Sequence, residues 1–167
     1  MTSDPNNQSH HLSIASIVGM GGMGKTTLAQ HLYNDPKLKG KFDVKSWVCV
    51  SQEFDVFNIT RDILEGITGS TDDSRGLNMV QKRLKEKLSG KRFLIVLDDV
   101  WNEKRDQWEA LHTPFNYGAQ GSKALVTTRS MKVASIMRSN KILQLKQLKE
   151  KYCRQLFSKH AFQDEVS

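Results

Sequence analysis

The sequence has 167 residues, 38% hydrophobic and 26% charged, the size and make-up of one domain with a sizeable core. Its longest apolar run, Phe93 to Leu97, falls far short of the roughly 20 residues a membrane span needs, and the first eleven residues lack the basic region and apolar core of a secretory leader. The formal charge of +7 and pI near 9.5 raise nucleic acid or an acidic membrane as a partner, to be judged by where the charge lies.

Residues 1–12 are polar, carry Pro5, and read as a flexible lead-in to a domain over 13–167. The first predicted strand, Ile14 to Val18, runs into Gly19-Met20-Gly21-Gly22-Met23-Gly24-Lys25-Thr26-Thr27, and a helix follows from Lys25 to Tyr33 with Leu28, Ala29 and Leu32 on one face. A G-x-x-x-x-G-K-[ST] match between a strand and a helix is a phosphate-binding loop, and a plain tight glycine turn is the alternative. Gly19, Gly21, Gly22 and Gly24, without Cβ atoms, let successive N–H groups, including that of Met23, turn toward phosphate oxygens. Lys25 is placed to reach the β- and γ-phosphates, Thr26 to ligate Mg²⁺, and Thr27 lies in the same turn at the positive end of the helix. Met20 and Met23 are expected to pack beneath the loop.

Ser46 to Val50 is a near-continuous apolar run, the pattern of a strand buried on both faces, which places Cys49 in the core. Ile59, Ile63 and Ile67, with Leu64, predict a helix ending at Gly69; Leu77, Val80, Leu84 and Leu88 predict another closed by Ser89-Gly90. That second helix holds most of the densest basic stretch, Lys82, Arg83, Lys85, Lys87, Lys91 and Arg92. Glu86 interrupts the stretch and no aromatics interleave for base stacking, so it reads as a solvated helix face and no nucleic-acid partner is expected.

Lys91 to Asp99 is the clearest strand. Its apolar residues followed by Asp98-Asp99 have the form of a Walker B strand, expected beside the phosphate-loop strand, with Asp98 in the magnesium shell. Asp99, one residue on, is a candidate to orient or deprotonate an attacking water, or simply part of a polar turn. After a short helix around Asp106 to His112, the strand Ala124 to Thr128 leads to Arg129. A guanidinium there can fork onto γ-phosphate oxygens and separate ATP from ADP, or it can pair with a carboxylate at the sheet edge. A helix with Val133, Ala134, Ile136 and Met137, a short strand Lys141 to Leu145, and a last helix carrying Leu148, Tyr152, Cys153, Leu156 and Phe157 complete the pass. Trp47, Trp101 and Trp108 read as packing residues, and Cys49 and Cys153 as reduced thiols of a cytoplasmic protein. Strands alternating with helices predict an α/β fold with a mainly parallel sheet.

Taken together, the glycine loop, Phe42 to Val56 (FDVKSWVCVSQEFDV), Lys91 to Trp101 (KRFLIVLDDVW) and Gly121 to Ser130 (GSKALVTTRS) closely resemble plant disease-resistance proteins, intracellular immune receptors with an NB-ARC module and leucine-rich repeats. Trp101 directly after Asp98-Asp99-Val100 resembles the coiled-coil class. The resemblance implies a P-loop NTPase-type three-layer fold with about five parallel strands, the Thr127-Thr128-Arg129 strand lying between the P-loop and Walker B strands. It implies ADP at rest and ATP on activation, followed by homo-oligomerisation and defence signalling. Lys25, Thr26 and Thr27 then correspond to phosphate and magnesium contacts, Asp98 to the Walker B acid and Arg129 to the nucleotide sensor. Coiled-coil, ARC and leucine-rich-repeat domains of a longer receptor are the implied partners. The family's Gly-Arg segment before the loop has no match in residues 1–12, and its later ARC motifs are expected beyond Ser167. An ATPase whose turnover is itself the output, and a weakly binding fragment or adaptor, stand as alternatives.

Overall fold

The computed structural model describes residues 12–20, 24–50 and 53–145. In chain order they form β1 (Leu12–Val18), α1 (Lys25–Tyr33), β2 (Val44–Cys49), α2 (Val56–Thr68), α3 (Leu77–Leu88), β3 (Phe93–Val100), α4 (Arg105–His112), β4 (Ser122–Thr128), α5 (Met131–Ile136) and β5 (Lys141–Gln144). The strands make one five-stranded sheet in the order β2-β3-β4-β1-β5, and every neighbouring pair is parallel. The expected α/β fold is therefore present. β4, not β3, is the partner of β1, which corrects the placing of the Walker B strand directly beside the loop strand.

Alternation along the central strands sorts the core into two layers. Ile14, Phe93, Ile95, Leu97, Ala124 and Val126 face α2, α3, α4 and α5, while Ala15, Ile17, Leu94, Val96 and Leu125 face α1. The connectivity explains this division. The crossover from β1 to β2 runs one way along the sheet, and those from β2 to β3, β3 to β4 and β4 to β5 run the other. Right-handed crossovers in opposite directions put their helices on opposite faces. Connections diverge between the adjacent strands β1 and β4, and a crevice at the carboxyl ends of such a strand pair is where open α/β sheets take ligands.

Local chemistry fixes the element ends. Asp55 caps α2 by accepting from the Asn58 N–H at 3.1 Å, and Gly69 ends it with φ 70. Ser130 caps α5 through the Val133 N–H at 3.3 Å.

Several packing expectations change. Cys49 is exposed, because it is the last residue of an edge strand rather than a core position. Trp108 is buried as expected and Trp47 packs edge-on to Tyr33 at 5.6 Å, but Trp101 is 53% exposed. Met20 is also largely exposed: its carbonyl turns toward Lys25 and its side chain outward. The expected last helix, with Cys153, lies outside the described residues, as does Met23.

Candidate functional site

The carboxyl ends of β1, β4 and β3 converge. The Gly19 N–H donates to the Thr128 carbonyl at 3.1 Å, extending the β1–β4 ladder one step beyond Val18. A Cβ on Gly19 would lie 3.1 Å from the Leu145 Cβ, so the loop's first residue is tightly enclosed. Gly24 has φ 81, and α1 starts at the next residue with no side-chain cap among the described residues. A helix N-terminus without a side-chain acceptor favours an anion. Gly21, Gly22 and Met23 lie outside the described residues.

Lys25, the first residue of α1, is buried, and its Nζ donates to the carbonyls of Gly19 at 2.5 Å and Met20 at 2.9 Å. Its pKa is lowered from the ordinary lysine value, chiefly by burial and next by the charge of Arg129, against the opposing carboxylates of Asp99 and Asp98. Arg129, Asp99 and Asp98 thus all act on the Lys25 charge at the strand ends. Thr26 Oγ1 donates to Asp98, lying 3.0 Å from Oδ1 and 3.1 Å from Oδ2. This bond ties the first turn of α1 to the end of β3. Thr27 is exposed in the same turn.

A β-bulge shapes the acidic end. Leu97 pairs with Val126 and Val100 with Thr128, so Asp98 and Asp99 together stand opposite Thr127 alone. Asp99 absorbs the extra residue with φ 63, a left-handed conformation that Asp tolerates better than most residues. Thr127 holds the bulge from below: its hydroxyl donates to Asp98 Oδ1 at 2.5 Å and accepts the Asp99 N–H at 2.7 Å. No motif in the sequence assigns a separate role to this hydroxyl. Its signal was a buried strand ending in two threonines, whose hydroxyls need partners. Arg129 lies just beyond, its guanidinium carbon 4.8 Å from the centre of the Trp101 ring.

The donor set suits a hard cation. Thr26 spends its one proton on Asp98 and keeps oxygen lone pairs, while the Asp98 carboxylate retains acceptor capacity. An oxygen separation of 3.0 Å is close to the ~2.9 Å edge of an octahedron with Mg–O bonds of about 2.05 Å. No group of three or more His, Cys, Asp or Glu residues among the described residues encloses a metal unaided. Such a pair fits Mg²⁺ completed by phosphate oxygens and water.

A strand, glycine loop and helix, joined through a threonine to an acidic strand end in a three-layer parallel sheet, define a domain of the P-loop NTPase class. Sequence comparison gives the family: the NB-ARC domain matches residues 5–167, and the chain belongs to that nucleotide-binding family. It is 44% identical over 160 residues to the disease resistance protein RGA2 of Solanum bulbocastanum, covering 94% of this chain and 16% of that one. It is 40% identical over 123 residues to the disease resistance RPP13-like protein 4 of Arabidopsis thaliana, covering 74% and 14% respectively. The chain thus spans a small part of the length of the curated relatives it matches. Among solved structures, that of Drosophila ORC bound to DNA contains a chain similar in fold, with TM-score 0.52 and 15% identity over 82% of this chain and 37% of that chain.

Proposed function

We propose that residues 13–167 form the ADP/ATP-binding switch module of a cytoplasmic plant immune receptor of the coiled-coil class. Gly19, Gly21, Gly22, Met23 and Gly24 line the phosphates with backbone N–H groups; Lys25, Thr26 and Thr27 contact them; Arg129 reads the terminal one. Thr26 and Asp98 hold Mg²⁺, whose chemistry is to neutralise charge between adjacent phosphates. The observation that carries this reading is the Thr26–Asp98 hydrogen bond, which joins the loop's helix to the acidic strand. Nucleotide exchange then alters the strand ends that partner coiled-coil, ARC and leucine-rich-repeat domains sense, and self-association follows activation.

Titration of ATP with and without Mg²⁺ tests the proposal. Mg²⁺ tightens binding by the native chain, and Thr26→Val or Asp98→Asn removes about 10- to 100-fold of that gain. A native chain whose affinity ignores Mg²⁺ contradicts the metal assignment.

Asp99 supports a second reading, an ATPase, because the bulge sets its carboxylate within electrostatic reach of Lys25. Multiple-turnover hydrolysis abolished by Asp99→Ala favours that reading; hydrolysis unchanged by it removes Asp99 as the base.

A further inference from the structure

Trp101 is a large apolar side chain on the surface, 53% exposed, at the same edge as the loop strand ends. The Arg129 guanidinium lies over its ring, the carbon 4.8 Å from the centroid. The two residues are held together by the chain on either side of each. Thr128, immediately before Arg129, donates its buried hydroxyl to the carbonyl of Val100, immediately before Trp101, at 2.7 Å. Ser130, immediately after Arg129, donates to the Glu103 carboxylate at 3.2 Å, and Lys132 pairs with that carboxylate at 3.3 Å. The segment leaving β3 is therefore strapped to the segment leaving β4 both before and after this pair in the chain.

We propose that Trp101 is a positioning residue for Arg129: the indole fixes the plane of the guanidinium and leaves its N–H edge free for the terminal phosphate of a nucleoside triphosphate. Stacking engages the face of the guanidinium, whereas hydrogen bonding uses the N–H groups in its plane, so the two contacts coexist. A carboxylate partner would instead occupy those donors and compete with phosphate. Holding the fork in advance lowers the rotamer freedom lost on binding, and only a ligand that reaches the fork gains from it. The consequence is selective: Trp101 raises affinity for ATP and leaves affinity for ADP alone. This inference rests on the reading of Arg129 as the contact to the terminal phosphate.

The test is equilibrium titration of ATP and ADP, each with Mg²⁺, against the 167-residue chain and its Trp101→Ala, Trp101→Phe, Arg129→Ala and double Trp101→Ala/Arg129→Ala variants. Trp101→Ala lowers the ATP-to-ADP affinity ratio by about two- to fivefold, the range of an exposed cation–π contact. Trp101→Phe restores most of the ratio, and Trp101→Ala has no further effect once Arg129 is alanine. Thermal melting confirms that each variant is folded. If Arg129→Ala leaves the ratio unchanged, the sensor reading itself fails. If Arg129→Ala lowers the ratio and Trp101→Ala does not, or if Trp101→Ala weakens ATP and ADP equally, the positioning role is overturned while the sensor reading stands.

Discussion

Lys25, the proposed phosphate contact, is a buried charge whose surroundings already act on it. Burial and the Arg129 charge lower its pKa from 10.5 in the folded chain, so it loses its proton earlier than an ordinary lysine as pH rises. A phosphate favours the charged form and raises that pKa again. ATP affinity therefore declines on raising the pH toward 10.5, with proton uptake on binding in that window, and the Lys25→Ala chain lacks this inflection. Linkage has the opposite sign for folding: just below 10.5 the unfolded chain binds more protons at this position, so the lysine's contribution to stability increases with pH there. A native ATP titration curve matching that of Lys25→Ala across this range contradicts the assignment. Thr127 carries the second residue-scale prediction. Thr127→Val leaves the Asp98 carboxylate and the Asp99 N–H each short of a partner, a loss of about 1–3 kcal/mol in urea unfolding. Thr127→Ser retains the hydroxyl and recovers most of it; equal losses for the two would show that the methyl group, not the hydroxyl, matters. Residue types at Lys25, Thr26 and Asp98 were readable from the motif. The exposure of Met20, Cys49 and Trp101 was not, because apolar character in sequence does not distinguish a strand's interior from its end, or a core ring from one stacked under a cation.

Among the elements, α1 lies where apolar spacing placed it, and α3 and the end of α2 where apolar spacing and glycine stops did, since a repeat of three to four residues and a left-handed terminal glycine are local signals. The β3–β4 bulge left no such trace. A run of buried residues reads the same whether or not one of them is out of register, yet this bulge sets Asp98 on Thr26 and turns Asp99 aside. The packing of α2 on β2 was equally hidden. Gly66 in α2 lies over Ser46, and an added methyl would fall on the Ser46 hydroxyl, which donates to the Ile63 carbonyl at 3.0 Å. Helix propensity alone makes Gly66→Ala stabilising by about 1 kcal/mol. The close approach reverses the sign: Gly66→Ala costs about 1–2 kcal/mol because Ser46 must rotate and give up its buried bond. The double variant Ser46→Ala/Gly66→Ala regains much of that loss, as chemical denaturation would reveal; additive effects of the two substitutions would rule out the contact.

For the molecule as a whole, the α/β class followed from alternating strands and helices, whereas the strand order did not. Periodicity says which residues are buried but not which strands are neighbours; the resemblance supplied β4 between β1 and β3, and the register confirms it. That order gathers the site. With β4 in the middle, its Thr127 reaches Asp98 on one side, its Thr128 carbonyl receives Gly19 on the other, and Arg129 follows directly, with its guanidinium over the Trp101 ring. The basic balance of +7 is explained on a surface of helices, with Lys85 and Lys87 exposed on α3 opposite the buried Val80, Leu84 and Leu88. On the function proposed above, this chain binds adenine nucleotide through its glycine loop. Equilibrium titration of a labelled adenine nucleotide against the native chain and Lys25→Ala tests it most directly. Saturable binding weakened at least about tenfold by the substitution, the scale of a lost charge-assisted hydrogen bond, is the predicted result. Equal binding by the two chains would contradict it.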